Sequence, residues 1–343
     1  MRFFYVSLLP LISGFILTPW RVSSPRLKQR NHPTNTHIAT DVDGTLIPPN
    51  TQHSDVIKQR NHPTITHIAT DVDGTLIPPN TQKPNAPSLE YLRDLHSEGK
   101  IEWVLATGKT REGAIRSLSR GNVIDKDFLK SLNGVFLQGL VVYKEGKVLR
   151  SVKLAPCVVK RVEKFVREKQ KNNDNDELEL VAYCENRIFS WKGCEGREQT
   201  VGLSRFYGEP VVEASESLNF DDLEVNKLIV FAAADRVKSL RNDLAEALGK
   251  DKDFSITQAL PTMLEVLPPD GSKEAGLRTL IGDLDHVLAI GDAENDIEML
   301  RAAGRSFVCS DAAGQIVKEA AEFVVDLKTS EGGVKEGIRR VVN

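Results

Sequence analysis

THIATDVDGTLIPPN, residues Thr66–Asn80, decides the fold of this chain. Its first five residues are a short apolar run that ends on two carboxylates, Asp71 and Asp73, followed at once by Gly74 and Thr75. Apolar runs of this length, without polar alternation, mark strands buried on both faces of a parallel sheet. Further runs of this kind follow: IEWVLAT at Ile101–Thr107, GVFLQ at Gly134–Gln138, HVLAIGD at His286–Asp292 and SFVCS at Ser306–Ser310. Helical spacing lies between them, with Leu89, Leu92 and Leu95 after Pro87, Ile297 and Leu300 after DAEND, and Ile316 with Val317 inside DAAGQIVKEAAE. Alternating strands and helices predict an α/β fold with a doubly wound, mainly parallel sheet. Such sheets collect ligands beyond the carboxyl ends of their strands. Asp71, Thr107 and Asp292 all stand at such ends, so residues distant in sequence are expected to converge.

The stretch also has a twin. Lys28–Gln52 and Lys58–Gln82 match at an offset of 30 residues and differ only at Asn35 and Ile65, so DVDGTLIPPN occurs at Asp41–Asn50 and again at Asp71–Asn80. A strand and loop duplicated once do not make a solenoid. Spacing favours the second copy, because Asp71 and Thr107 leave room for one loop, one helix and one strand, the compact unit a parallel sheet demands. Ile65 favours it too, since Asn35 would bury an amide where a strand wants hydrocarbon, at about 1–3 kcal/mol if unpaired. Asp41 and Asp43 are expected to be idle, and residues 28–57 to be a non-functional copy.

The chain begins differently. An apolar run, Phe3–Leu17, follows Arg2 and is interrupted by Pro10; TPWRVSSPRLKQR comes next, and the first carboxylate of the chain is Asp41. The run is too short for a comfortable membrane span and suits a targeting segment. Residues 1–27 are therefore expected to lie outside the fold, with organelle targeting as their implication, a cytoplasmic location as the alternative, and no stable membrane insertion of the mature chain.

With 343 residues, 40% hydrophobic and 27% charged, the chain suits two compact globular domains. A formal charge of −3 provides no broad cationic surface, so no nucleic-acid partner is expected. Cys157, Cys184, Cys194 and Cys309 form no C-x-x-C pair and read as small buried thiols rather than a zinc site or disulfide framework. A calcium loop starting at Asp71 is rejected: Leu76 stands where a turn glycine is needed and Gln82 where a bidentate Glu is needed.

DVDGT at Asp71–Thr75, ATGKT at Ala106–Thr110, the lysine of PPDGSKEAG at Lys273 and GDAENDIEML at Gly291–Leu300 occur in one order across the chain. In this order they resemble the haloacid dehalogenase-like (HAD) superfamily, and within it the Cof-type, sugar phosphatase-like hydrolases. The sequence departs from that pattern at Lys109, where Arg is usual, and at Leu137–Leu140 (LQGL), where an Asn-Gly pair is usual. Both departures bear on the substrate more than on the reaction. The resemblance implies a Mg²⁺-dependent phosphatase acting on a small phosphate ester through an aspartyl-phosphate.

Asp71 is then the nucleophile, since a carboxylate that holds the phosphoryl group divides one hard displacement into two easier ones. Asp71 and Asp292 are the carboxylates for Mg²⁺, which binds one or two such groups together with substrate oxygens. By family analogy the backbone carbonyl of Asp73 is a third ligand. Lys273, with Ser272 as N-cap, and Thr107 face the phosphoryl oxygens. Gly108 and Lys109 complete the phosphate loop. Asp296, four residues after Asp292, orients Lys273 or a metal-bound water, with Asn295 as a weaker candidate beside it. Asp73 bears on the reaction class, because a phosphate monoester leaves as a poor alkoxide and needs a general acid. A phosphomutase on the same core, or a non-catalytic binding protein that keeps the fold, are the alternatives.

Between the motifs the pattern changes. VVYKEGKVLRSV reads as a hairpin about Glu145-Gly146, Val158, Val162 and Phe165 as a helix, and LELVAYCENRIFSW and KLIVFAAA as strands. Residues 139–257 are expected to form an α+β insertion, similar in place and size to the family's cap domain, which would close over a core built from residues 58–138 and 258–343.

Overall fold

The computed structural model describes residues 64–172, 178–191, 197–215, 218–249 and 253–342. The expected targeting segment 1–27, the first motif copy at 28–57 with Asn35, Asp41 and Asp43, Cys194, and most of the charged stretch after Lys171 lie outside the described residues. Along the chain run strands β1 (His67–Thr70), β2 (Glu102–Ala106), β3 (Gly134–Phe136), β4 (Val141–Lys144), β5 (Lys147–Ser151), β6 (Glu179–Cys184), β7 (Arg187–Trp191), β8 (Val212–Ser215), β9 (Lys227–Phe231), β10 (Ser255–Leu260), β11 (Met263–Leu267), β12 (Val287–Ile290), β13 (Arg305–Cys309) and β14 (Phe323–Val325).

The larger sheet has the order β14-β13-β12-β1-β2-β3-β4-β5. It is parallel from β14 to β3, and β4 and β5 add an antiparallel edge. This is the doubly wound α/β core the sequence predicts. Strand alternation sends Ile68 and Leu105 to one face, where Leu89 and Leu92 of helix Ala86–Ser97 and Ile338 of helix Gly333–Val342 cover them. Ala69 and Ala289 face the other side, under Leu277 of helix Lys273–Ile281 and Met299 of helix Ile297–Ala302. Helix Ala86–Ser97 starts where expected because the Asn85 side chain accepts a hydrogen bond from the Ser88 amide and a proline stands in the first turn. In register, Thr70 pairs with Ile290 on one side and with Leu105 on the other. Asp292, Asp71 and Thr107 consequently emerge at the same end of three adjacent strands.

The smaller sheet, β10-β11-β9-β6-β7-β8, is antiparallel except between β7 and β8. Leu180, Leu228 and Leu264 on one face pack against Val158, Val162 and Val166 of helix Pro156–Asn172 and Leu240 and Leu244 of helix Val237–Leu248. The boundaries expected at 139 and 257 shift. The hairpin of β4 and β5, turned by Glu145 and Gly146 with φ of 49° and 76°, pairs with β3 in the larger sheet. β10 and β11 instead join β9 in the smaller one. A short antiparallel hairpin satisfies the free edge of whichever sheet it leaves, and alternation within a strand does not name that edge.

Among the described residues no helix is long and apolar enough to cross a membrane. The expectation of buried thiols holds for Cys309 but not for Cys157, which is exposed, and Cys184 lies between them.

Candidate active site

β1 ends in a tight loop. The Asp71 amide donates to the Ile290 carbonyl at 2.9 Å, Val72 O accepts from the amides of Leu76 and Ile77, both at 2.9 Å, and the Gly74 amide donates to Ile77 O at 2.7 Å. Gly74 has φ +87°, and a Cβ there would lie 2.0 Å from Asp292 Oδ2, so the close approach of the two motifs requires glycine. Thr75 Oγ1 donates to Asp292 Oδ1 at 2.9 Å. The loop thus carries Asp71 up against Asp292 from the neighbouring strand.

Lys273, fully buried, enters from the first turn of its helix, where the Ser272 hydroxyl accepts from the Ala275 amide at 3.1 Å. Its Nζ donates to Asp71 Oδ1 at 2.8 Å and to Asp296 Oδ1 at 2.6 Å. Asp296 Oδ2 accepts from the amides of Asp292 and Ala293, each at 3.0 Å. The chain forms a short 3-10 turn, Glu294–Asp296, before helix Ile297–Ala302, so Asp296 meets Asp292 through the backbone rather than as a helical neighbour.

Ligand atoms of Asp71, Asp292 and Asp296 lie within 4.8 Å of one another. Both oxygens of Asp296 are engaged, so Asp71 and Asp292 are the carboxylates open to a cation, and Asp296 orients Lys273 and the Asp292 loop. Burial, with Asp296 and Asp73 adding to it and Lys273 opposing it, raises the Asp71 carboxyl to about 6. Burial together with the charges of Asp71 and Asp296 pushes Asp292 well above the carboxylate range. Burial alone would lower the Lys273 ammonium, but Asp296 and Asp71 outweigh it and raise its pKa. Three carboxylates against one ammonium leave an excess of negative charge on hard oxygen donors. That donor set fits a divalent cation such as Mg²⁺.

Thr107 lies buried one strand over from Asp71, its amide donating to Val135 O at 2.9 Å and its hydroxyl accepting from the Lys109 amide at 3.3 Å. Asp73 and Lys109 turn to each other. Lys109 Nζ is 2.7 Å from Asp73 Oδ2, with the Asp73 side chain 47% exposed, and it also donates to the carbonyl of Tyr207 in the insertion. Asn295 Nδ2 donates to Gln138 Oε1 at 3.1 Å, and a Cβ at Gly108 would come within 2.7 Å of Gln138 Nε2. Asp71, Asp292, Asp296 and Lys273 are therefore one cluster, Thr107 and Gly108 flank it, and Asp73, Lys109 and Asn295 contact the surrounding seam.

The seam holds Gln138, from the departing stretch LQGL, and residues the sequence did not single out. Gln138 sits in LQGL, where Leu137, Gln138 and Gly139 all have positive φ (49°, 59° and 89°), a costly run for two side-chain-bearing residues. Its Nε2 donates to Glu265 Oε2 at 3.5 Å. Lys227 Nζ donates to Glu265 Oε1 at 2.6 Å and to Gly108 O at 3.1 Å, which ties the smaller sheet to the loop after β2. Glu209, its carboxyl raised by burial, accepts from the Thr110 hydroxyl at 2.6 Å at the start of helix Arg111–Leu118. Glu265 inside MLEVL and Lys227 before LIVF were legible as charges interrupting apolar runs; nothing local marks Glu209.

Residues 68–338 match the family of haloacid dehalogenase-like hydrolases. A chloroplastic endoribonuclease YBEY of Arabidopsis thaliana is 30% identical over 250 residues, which are 70% of this chain and 40% of that protein, so the chain spans less than half of its length. A hydrolase of Schizosaccharomyces pombe is 30% identical over 76% of this chain and 84% of its own. A 5-amino-6-(5-phospho-D-ribitylamino)uracil phosphatase of Bacillus subtilis is 36% identical over 30% of this chain and 42% of its own. A HAD/COF-like hydrolase from Plasmodium vivax shares the fold, with a TM-score of 0.69 at 21% identity over 81% of this chain and 95% of that one. The match over most of its length, together with the carboxylates and lysine gathered at its strand ends, places the chain in the haloacid dehalogenase-like hydrolase family.

Proposed function

We propose that this hydrolase is a phosphatase acting on a small phosphorylated metabolite of the sugar-phosphate class, with Mg²⁺ as cofactor and a phosphorylated Asp71 as intermediate. The observation that carries this reading is the buried cluster in which Lys273 Nζ lies 2.8 Å from Asp71 while Asp292 offers a second carboxylate. Asp71 and Asp292 would hold Mg²⁺, which when bound supplies positive charge against the phosphoryl oxygens. Lys273, and the hydroxyl of Thr107 at the next strand end, supply further donors for those oxygens. An Asp71 oxygen attacks phosphorus as the bond to the substrate oxygen breaks, and Asp73 gives its proton to that leaving oxygen. Asp73 then takes a proton from a water that attacks the same phosphorus, releasing phosphate and restoring the Asp71 carboxylate. For this, Asp73 turns from Lys109 toward the leaving group; its half-exposed side chain has room to do so.

The Arg-, Lys- and Ser-bearing segment after Leu17, together with the chloroplastic name of the plant relative, supports organelle targeting.

Release of inorganic phosphate from a panel of sugar phosphates, with Mg²⁺ and with chelator, tests the reading. We expect turnover that requires Mg²⁺ and falls by about a thousandfold or more in Asp71→Asn, while Asp41→Asn keeps it. Full activity in Asp71→Asn, or equal release in chelator, would sink the mechanism.

A further inference from the structure

Residues 66–82 fill one slot in the larger sheet and its rim. His67–Thr70 pair with Val287–Ile290 on one side and with Glu102–Leu105 on the other. Beyond the strand, Asp71 Oδ1 accepts from Lys273 Nζ at 2.8 Å, Thr75 Oγ1 donates to Asp292, the Gly74 carbonyl accepts from Thr329 Oγ1 at 3.0 Å, and Gln82 Oε1 accepts from Arg120 Nη1 at 3.1 Å. Residues 36–52 carry the same side chains in the same order. The partners of the slot cannot tell the two segments apart, so occupancy is decided by what lies outside them.

Two differences lie outside. Ile65 is partly buried against the core where the first copy brings Asn35, a loss of about fifteenfold for hydrocarbon replaced by an amide. The second difference is the connection to helix Ala86–Ser97. Asn85, whose amide donates to Leu76 O, is joined to Gln82 by residues 83 and 84 alone, whereas from Gln52 the chain would loop out residues 53–84. That is four doublings of loop length, at somewhat under threefold each, or roughly sixtyfold. Thr64 and Thr66 at the entry, and Thr81, Gln82 and Lys83 at the exit, are exposed, so such a loop leaves at the surface and threads nothing. The two factors multiply to about a thousandfold. We propose that the first copy is a second occupant of this slot: in about one molecule in a thousand, residues 36–52 fill it with Asp41 in the place of Asp71, and a change that bars the second copy makes this form the dominant one. Resting on the phosphatase reading above, an Asp41 oxygen then bonds to phosphorus as the bond to the ester oxygen breaks, and Asp43 gives its proton to that oxygen.

Ala69 is fully buried in the slot, in one cluster with Leu277 and Met299. Ala69→Glu gives the second copy a carboxylate it cannot bury there and leaves Ala39 intact. In the full chain this variant is expected to unfold cooperatively in denaturant, with stability lower by about 4 kcal/mol, the thousandfold gap converted. Adding Asn35→Ile should restore about fifteenfold of it, or about 1.6 kcal/mol. Ala39→Glu alone should unfold as the wild type does, and Ala39→Glu with Ala69→Glu should show no cooperative transition. Loss of the transition in Ala69→Glu with Asn35→Ile, or its survival when both alanines are replaced, overturns the exchange. Phosphate release separates the catalytic part. Ala69→Glu with Asn35→Ile should hydrolyse the esters that the wild type does, should lose this with Asp41→Asn, and should keep it with Asp71→Asn. The reverse dependence, or a folded but inactive variant beside an active wild type, overturns Asp41 as the nucleophile. Unfolding as expected with no hydrolysis by any form, wild type included, means that the phosphatase reading fails while the exchange stands.

Discussion

Two groups of buried charges, the strand-end cluster and the seam between the sheets, look alike in burial and differ in balance. At the strand ends Asp71, Asp292 and Asp296 face a single Lys273. At the seam Lys227 and Glu265 face each other one to one at 2.6 Å, each side chain only 3% exposed. A balanced buried pair brings little net stability but sets which surfaces meet, whereas an unbalanced one is tolerable only if protons or a cation make up the difference. This balance suits the paired charges to assembly and, on the proposed function, the unbalanced cluster to chemistry.

The contrast breaks most sharply at the seam. Lys227→Met strands Glu265 as a lone buried carboxylate and is expected to cost about 3–5 kcal/mol, while Lys227→Met with Glu265→Gln should recover most of that loss. Chemical denaturation of the two variants decides it; a double variant as unstable as the single one means the pair is more than mutual neutralisation. At the strand ends the expected response is to a cation instead. Mg²⁺ at a hundred times its dissociation constant should stabilise the wild type by about 2.7 kcal/mol and should do so far less in Asp292→Asn. An identical rise in Tm for both would detach the cluster from metal binding.

The same cluster should respond to pH in the metal-free protein. Asp71 titrates at about 6 in the fold against an ordinary 3.8, so between these values the folded state binds more protons than the unfolded one. Stability contributed by this group is then greatest below about 4, declines as pH rises to about 6, and stays low above it. With chelator present, the Tm of the wild type relative to Asp71→Asn is expected to fall across that window, and a flat difference would contradict the assignment. The smallest effect belongs to the cap of the lysine helix: Ser272→Ala should cost about 1 kcal/mol, with no change in which esters are turned over.

Much of the strand-end cluster could be read before any coordinates. Asp71, Thr107 and Asp292 follow apolar runs, and adjacent parallel strands deliver such positions to one edge. Lys273 was legible through the resemblance of its motif to the family, with Ser272 marking the start of its helix. The seam was hardly legible. Lys109 and Asp73 each read as facing substrate, yet they meet one another, because an ion pair across a loop and a strand end depends on side-chain direction rather than on spacing. Gln138 drew notice as a departure from the family pattern, but its bridge from Asn295 to Glu265 joins three remote segments.

From the sequence alone came the order of strands and helices and the choice of Asp71 as the expected working copy, which local periodicity and spacing carry because both are properties of neighbouring residues. The residues of the charge cluster came from the resemblance of four ordered motifs to one family. The tertiary structure alone decided which sheet received the hairpin Val141–Ser151 and the strands Ser255–Leu267, and which partners Asp73, Glu209 and Lys227 found. Strand edges and buried charges are satisfied by whatever group folding brings within reach, and the energy of that meeting belongs to both surfaces together rather than to either stretch of chain.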